Sequence, residues 1–164
     1  MNKVIFSALL MLFTLPVASN PLNIHVHGNV VTQPCKLEKT DYLVDLGKIN
    51  LWNYRDPAQT PWVDFSIKLV ECPATTKNAR LIIRGIPDTT GNYFINTGTS
   101  RNSVLNLATK DAKNLLKNGS ELDITINNVN NNAEISLSSR IISQSLKLEP
   151  GTFRSHLDFT LIYP

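Results

Sequence analysis

Leu22-Asn23-Ile24-His25-Val26-His27-Gly28-Asn29-Val30-Val31-Thr32 alternates along its length. Leu22, Ile24, Val26, Gly28, Val30 and Thr32 share one face, and Asn23, His25, His27, Asn29 and Val31 share the other. Such a period of two is what a strand with one buried face produces, because successive side chains point to opposite sides. The stretch stands just ahead of the first cysteine, Cys35, so its pairing decides how the rest is read. An ordinary edge strand would pair within its own domain. A strand meant for another molecule would leave and complete a neighbour's sheet through backbone hydrogen bonds. Gly28 interrupts the apolar face, and a glycine within a strand weakens it and often marks the close approach of another backbone.

Upstream, Lys3 is followed by the apolar run Val4 to Leu15 and then by the small residues Val17-Ala18-Ser19. That order is expected of an export signal over residues 1–19, cleaved before Asn20. The run is shorter than the roughly 20 apolar residues that span a bilayer, and no later segment reaches that length. A soluble exported product without stable membrane insertion is expected.

Export gives meaning to the two cysteines, Cys35 and Cys72, since an oxidising compartment makes a single disulfide the default. A metal site would need further ligands at close spacing, and the sequence offers none. Formal charge falls from +3 to about +2 with the loss of Lys3, too little and too scattered to indicate nucleic acid. The chain is rich in Asn and Thr, which favour turns and strands over helices.

Downstream, the same alternation predicts strands at Tyr42–Leu46, Val63–Val70, Arg80–Ile86, Ser103–Ala108, Leu122–Ile126, Ala133–Ile142 and Arg154–Tyr163. Turn residues separate them, among them Pro87-Asp88, Asn118-Gly119, Asn127 to Asn132 and Pro150-Gly151. Lys110 to Lys117 alone has a helical look, and it is too short to stand by itself. Short strands at this spacing predict one all-β domain, a sandwich of two antiparallel sheets of immunoglobulin type.

Taken together, these residues resemble the subunits of chaperone–usher pili, in particular the minor subunits of type 1-like fimbriae. The stretch Asn23 to Cys35 resembles their N-terminal extension. Asp45-Leu46-Gly47-Lys48-Ile49 and Phe65 to Pro73 fit the segments that follow the first cysteine and end at the second. Arg84-Gly85-Ile86-Pro87-Asp88 and Phe94-Ile95-Asn96-Thr97-Gly98 resemble the family's turns, although Ser100-Arg101-Asn102-Ser103-Val104 replaces the usual glycine-rich stretch. Gly151 lies fourteenth from the C-terminal end and Tyr163 is penultimate, as in that family.

The resemblance implies an incomplete immunoglobulin-like sandwich that lacks its seventh strand and is completed by a donor strand. Residues 20–34 would be the donor extension and 35–164 the pilin domain. Leu22, Ile24, Val26, Gly28, Val30 and Thr32 would fill successive pockets of a neighbour. Gly151, Phe153, Leu157, Phe159, Leu161, Tyr163 and Pro164 would form the acceptor groove and the surface bound by the chaperone. Implied partners are neighbouring subunits, a periplasmic chaperone and an outer-membrane usher. The implied place is a cell-surface fimbrium reached through the periplasm, and the implied role is structural, contributing to cell adhesion. A minor or adaptor subunit is the leading expectation, with a rod pilin next and a carbohydrate-binding adhesin last, since tip adhesins carry an additional lectin domain.

No nucleophile–base pair or phosphate loop suggests an enzyme, and no cofactor is expected. His25 and His27 share a strand face without further ligands nearby. Trp52, Tyr54 and Trp62 would suit either packing or a sugar platform. Asn118-Gly119-Ser120 matches a glycosylation sequon but reads first as a turn.

Overall fold

The computed structural model describes residues 34–53, 59–143 and 147–163. They belong to a unit spanning Val31–Pro164. The expected signal and the donor stretch Leu22 to Thr32 lie outside the described residues, as does Pro164.

Nine strands are formed among the described residues: β1 (Lys36–Leu37), β2 (Val63–Val70), β3 (Asn78–Gly85), β4 (Phe94–Ile95), β5 (Ser103–Thr109), β6 (Leu115–Leu116), β7 (Glu121–Thr125), β8 (Ala133–Ser143) and β9 (Leu157–Ile162). A single 3-10 turn, Leu51–Asn53, interrupts them. All pairings are antiparallel. One sheet runs in the order β1-β2-β8-β5-β4, with β6 also on β5, and the other runs β7-β3-β9. The two layers face each other across a core to which β2 sends Ile67 and Leu69, β3 sends Leu81 and Ile83, and β8 sends Ile135 and Leu137. Burying one such side chain contributes about 1.5–3 kcal/mol, so the shared face decides the fold.

Phe94 is fully buried, and its position depends on a glycine. A Cβ on Gly85 would lie 2.6 Å from Leu157 Cδ2 and 2.7 Å from Phe94 Cδ1. Only the missing side chain lets the ring cover the end of β3.

Two expectations are corrected, for Tyr42–Leu46 and for the start of the last strand. Tyr42–Leu46 is extended and alternately half-buried, but it joins no ladder. Lys110 to Lys117 contains no helix. Thr109 and Asn114 close a turn, with Lys113 at φ 53°, and the chain returns as β6. The last strand begins at Leu157 rather than Arg154, because the residues before it bond to a loop instead of to β3.

The outer face of the larger sheet carries its own polar cluster. Arg140 and Lys113 sit over the Trp62 ring, 4.2 and 5.1 Å from its centre. Asp64 accepts from Ser138 Oγ at 2.5 Å and lies 3.5 Å from Lys113 and 3.7 Å from Lys110. The Ser138 hydroxyl holds the Asp64 carboxyl below its ordinary value, against the opposing effect of burial and with help from the two lysines. A depressed folded value means that this contribution is present at neutral pH and lost as pH falls through it. Asp64→Asn should therefore lower the melting temperature slightly at pH 7, and the difference from wild type should close in acid, below the ordinary carboxylate range. Thermal scans under the two conditions check this, and a gap that persists in acid would show that the charge is not what matters.

Candidate functional site

In the smaller sheet Leu161 lies opposite Leu81, Phe159 opposite Ile83 and Leu157 opposite Gly85. Leu81 and Ile83 are 0% exposed, whereas Leu161, Phe159 and Leu157 are only half-buried. Neighbours on one face of a sheet are covered alike unless the cover ends between them. Here it does: β9 pairs with β3 on one side and with no strand on the other among the described residues.

The facing layer ends in the same region. Beyond β1 the chain continues through residues 38–50 without a ladder, with Tyr42, Val44 and Leu46 half-buried in alternation. At one end the Tyr163 hydroxyl donates to the Cys35 carbonyl at 3.5 Å. At the other, Leu46 and Phe153 pack into one cluster with Ile141 and Leu148. Residue 35 is thus tied to 163, and 46 lies at the end of 153. The two segments flank one another in opposite directions on the two layers, both lined by half-buried apolar side chains. Partial burial pushes the Tyr163 phenol up, and its hydrogen bond to Cys35 works the other way.

The Cys35–Cys72 disulfide anchors the start of the 35–46 segment. β1 is two exposed residues long, pairing Lys36 with Val70 and Leu37 with Leu69. An ion pair between Lys36 and Glu71 reinforces it. Chemically the open side of β9 offers a row of backbone groups beside half-buried apolar side chains, the arrangement that a further strand can pair with.

Of the sequence-predicted site residues, Phe153, Leu157, Phe159, Leu161 and Tyr163 line this edge on alternate, core-facing positions. Gly151 is set back from it, against the backbone of Ser100. Leu22, Ile24, Val26, Gly28, Val30, Thr32 and Pro164 lie outside the described residues. Sequence reasoning did not associate the half-buried Tyr42, Val44 and Leu46 with this edge, although their alternation was the available signal. Trp62 does not offer a free ring, since Arg140 and Lys113 lie over it, and Trp52 is 95% exposed on the 3-10 turn. Asn118 Oδ1 accepts from Gly85 N at 3.2 Å and Gly119 takes φ +84°, so this pair makes a turn.

Fold and site together define an immunoglobulin-like β-sandwich of the pilin type, with one edge open among its described residues. No family model matches the chain. It is 30% identical over 145 residues to the uncharacterized fimbrial-like protein YdeR of Escherichia coli K12, covering 88% of this chain and 86% of the relative. To Protein FimG of the same organism it is 28% identical over 160 residues, covering 97% and 95%. The crystal structure of the P pilus rod subunit PapA superposes with a TM-score of 0.67 at 17% identity, over 80% of this chain and all of that one. A solved structure of the P pilus adaptor subunit PapF gives 0.52 at 19%, over 83% of this chain and all of that one. The chain belongs to the fimbrial subunit family, and it is a structural subunit of a cell-surface pilus.

Proposed function

We propose that the groove between residues 42–46 and 153–163 accepts a strand from another molecule, and that residues 22–32 are the strand this subunit offers in turn. The observation that carries the acceptor half is the contrast on one sheet face: Leu81 and Ile83 fully covered, Leu161 and Phe159 half open. The donor half rests on the alternation of Leu22, Ile24, Val26, Gly28, Val30 and Thr32. An unpaired apolar edge invites aggregation, so the subunit needs a chaperone in the periplasm to lend a strand. An outer-membrane usher then exchanges that strand for a neighbour's. Each buried Val or Ile would contribute about 1.5–3 kcal/mol, and with the backbone ladder that is enough to hold a fibre without covalent links.

The fold matches rod and adaptor subunits alike, so it does not separate them. The Asn-rich, Ala-poor composition supports a minor or adaptor position. Counting copies of this subunit along isolated fibres tests it, and a copy number matching the rod would overturn it.

Gly28→Leu tests the donor. A side chain there should meet the groove where the strand lies closest to it, so the variant is expected to form its chaperone complex in normal yield. Fibre growth beyond it should fall about tenfold, since one badly placed side chain costs about 1–3 kcal/mol and about 1.4 kcal/mol is tenfold. Normal incorporation of the variant with subunits added beyond it would sink the donor assignment.

A further inference from the structure

β3 ends at Gly85, yet the extended chain ahead of β9 does not lose its partner there. Thr97 N donates to Arg154 O at 2.8 Å and Ser100 N to Thr152 O at 2.9 Å. Thr99 and Thr152 exchange bonds, each backbone N donating to the other's Oγ1, at 3.0 and 2.9 Å. Asn96 stands at the centre. Its Oδ1 accepts from Arg154 N at 2.8 Å and Gly98 N at 2.7 Å, and its Nδ2 donates to Ser100 O at 2.7 Å and Thr152 O at 3.3 Å. Two glycines let the strips meet: a Cβ on Gly98 would fall on the Thr152 carbonyl, and one on Gly151 would fall on the Ser100 backbone. The Asn96-Thr97-Gly98 turn and Gly151, far apart in sequence, are therefore halves of one joint.

The loop lies on the β3 side, because Ile95 N donates to Ile86 O at 3.0 Å and Pro87 bridges Phe94 just past the end of β3. Backbone groups of an extended chain alternate sides. Thr152 and Arg154 direct amide and carbonyl to the loop, so those of Phe153 and Ser155 face the side on which β9 has no strand among the described residues. The open edge thus runs from 153 to 163, eleven residues or about 35 Å at 3.2–3.4 Å each. The stretch Leu22 to Thr32 is also eleven residues long.

We infer that this joint sets the length of strand that the groove reads, adding Phe153 and Ser155 as pairing positions beyond the reach of β3, with Asn96 as its positioning residue. The inference rests on the strand-acceptance reading above. It is tested by release rates of three synthetic peptides, residues 22–32, 22–30 and 24–32, from the purified full chain. From wild type, one shortened peptide, the one lacking the residues opposite 153–155, should leave about tenfold faster than the full peptide, two backbone hydrogen bonds having been lost. In Asn96→Ala that advantage should shrink to about twofold or less while the release of that shorter peptide itself is unchanged. Thr152→Val, at an exposed position that leaves the core intact, should act the same way, and Thr152→Ser should restore the wild-type ratio. A role in stability alone would speed all three peptides equally. Variants that keep the full length advantage overturn the inference; a wild-type chain that holds none of the peptides overturns the strand-acceptance reading beneath it.

Discussion

Replacing both Cys35 and Cys72 by alanine should lower the unfolding free energy by about 3–4 kcal/mol, the loop-closure entropy for this span in the chain-entropy model. The two cysteines are 37 residues apart and buried, at 7% and 4% exposure, so the loop is long and the bridge is packed rather than peripheral. Position makes the loss uneven. β1 holds the start of the 35–46 segment through two exposed residues and one surface ion pair, and exposed ion pairs add little. Without the bridge, residues 35–46 have few remaining anchors, the Tyr163 hydroxyl and the packing of Tyr42 and Leu46 chief among them. Urea midpoints give the global loss. Amide exchange should show residues 36–46 opening well before β3. A destabilisation under about 1 kcal/mol, or exchange that rises uniformly, would mean that the bridge is not the anchor of that segment.

How much of this was legible in the sequence follows from what alternation reports. It reveals which face of a segment is covered, not which neighbour supplies the hydrogen bonds. β2 emerged at Val63–Val70 because Ile67 and Leu69 alternate with exposed Asp64 and Lys68 and the run ends at Cys72-Pro73. The same signal placed a strand at Tyr42–Leu46, where side chains alternate toward the core but the backbone has no ladder. It also carried the last strand back to Arg154, since Phe153 and Ser155 continue the covered face although their flanking residues bond to the 96–100 loop. β1, β4 and β6 are two residues each, below any readable period. The half-buried, core-facing side of Leu157, Phe159, Leu161 and Tyr163 was visible as one apolar face. The Asn96 joint was not. Its halves carry information only once the fold has brought them together, and Gly98 and Gly151 read locally as ordinary turn glycines.

A charge placed in the groove should separate strand binding from folding. Phe159 faces the core from β9, opposite the fully buried Ile83, and remains half-buried. In Phe159→Asp the carboxylate of the isolated subunit can still reach water through the open side, so folding should survive with a lower midpoint from lost packing. A docked strand would shut that side and trap the charge without a partner, which costs several kcal/mol. Retention of the 22–32 peptide should accordingly fall at least about a hundredfold, the equivalent of 2.7 kcal/mol. Thr160→Lys is the matched control. It lies one residue further on, on the exposed face, beside Ile82 in the ladder and near Glu121. There a charge stays solvated whether or not the strand is bound, so retention should change by less than about twofold. The comparison within one strand removes backbone and register as causes, because both variants keep the same ladder. Equal losses at 159 and 160 would mean that the incoming strand does not cover the core-facing side of β9, and the groove would have to lie elsewhere.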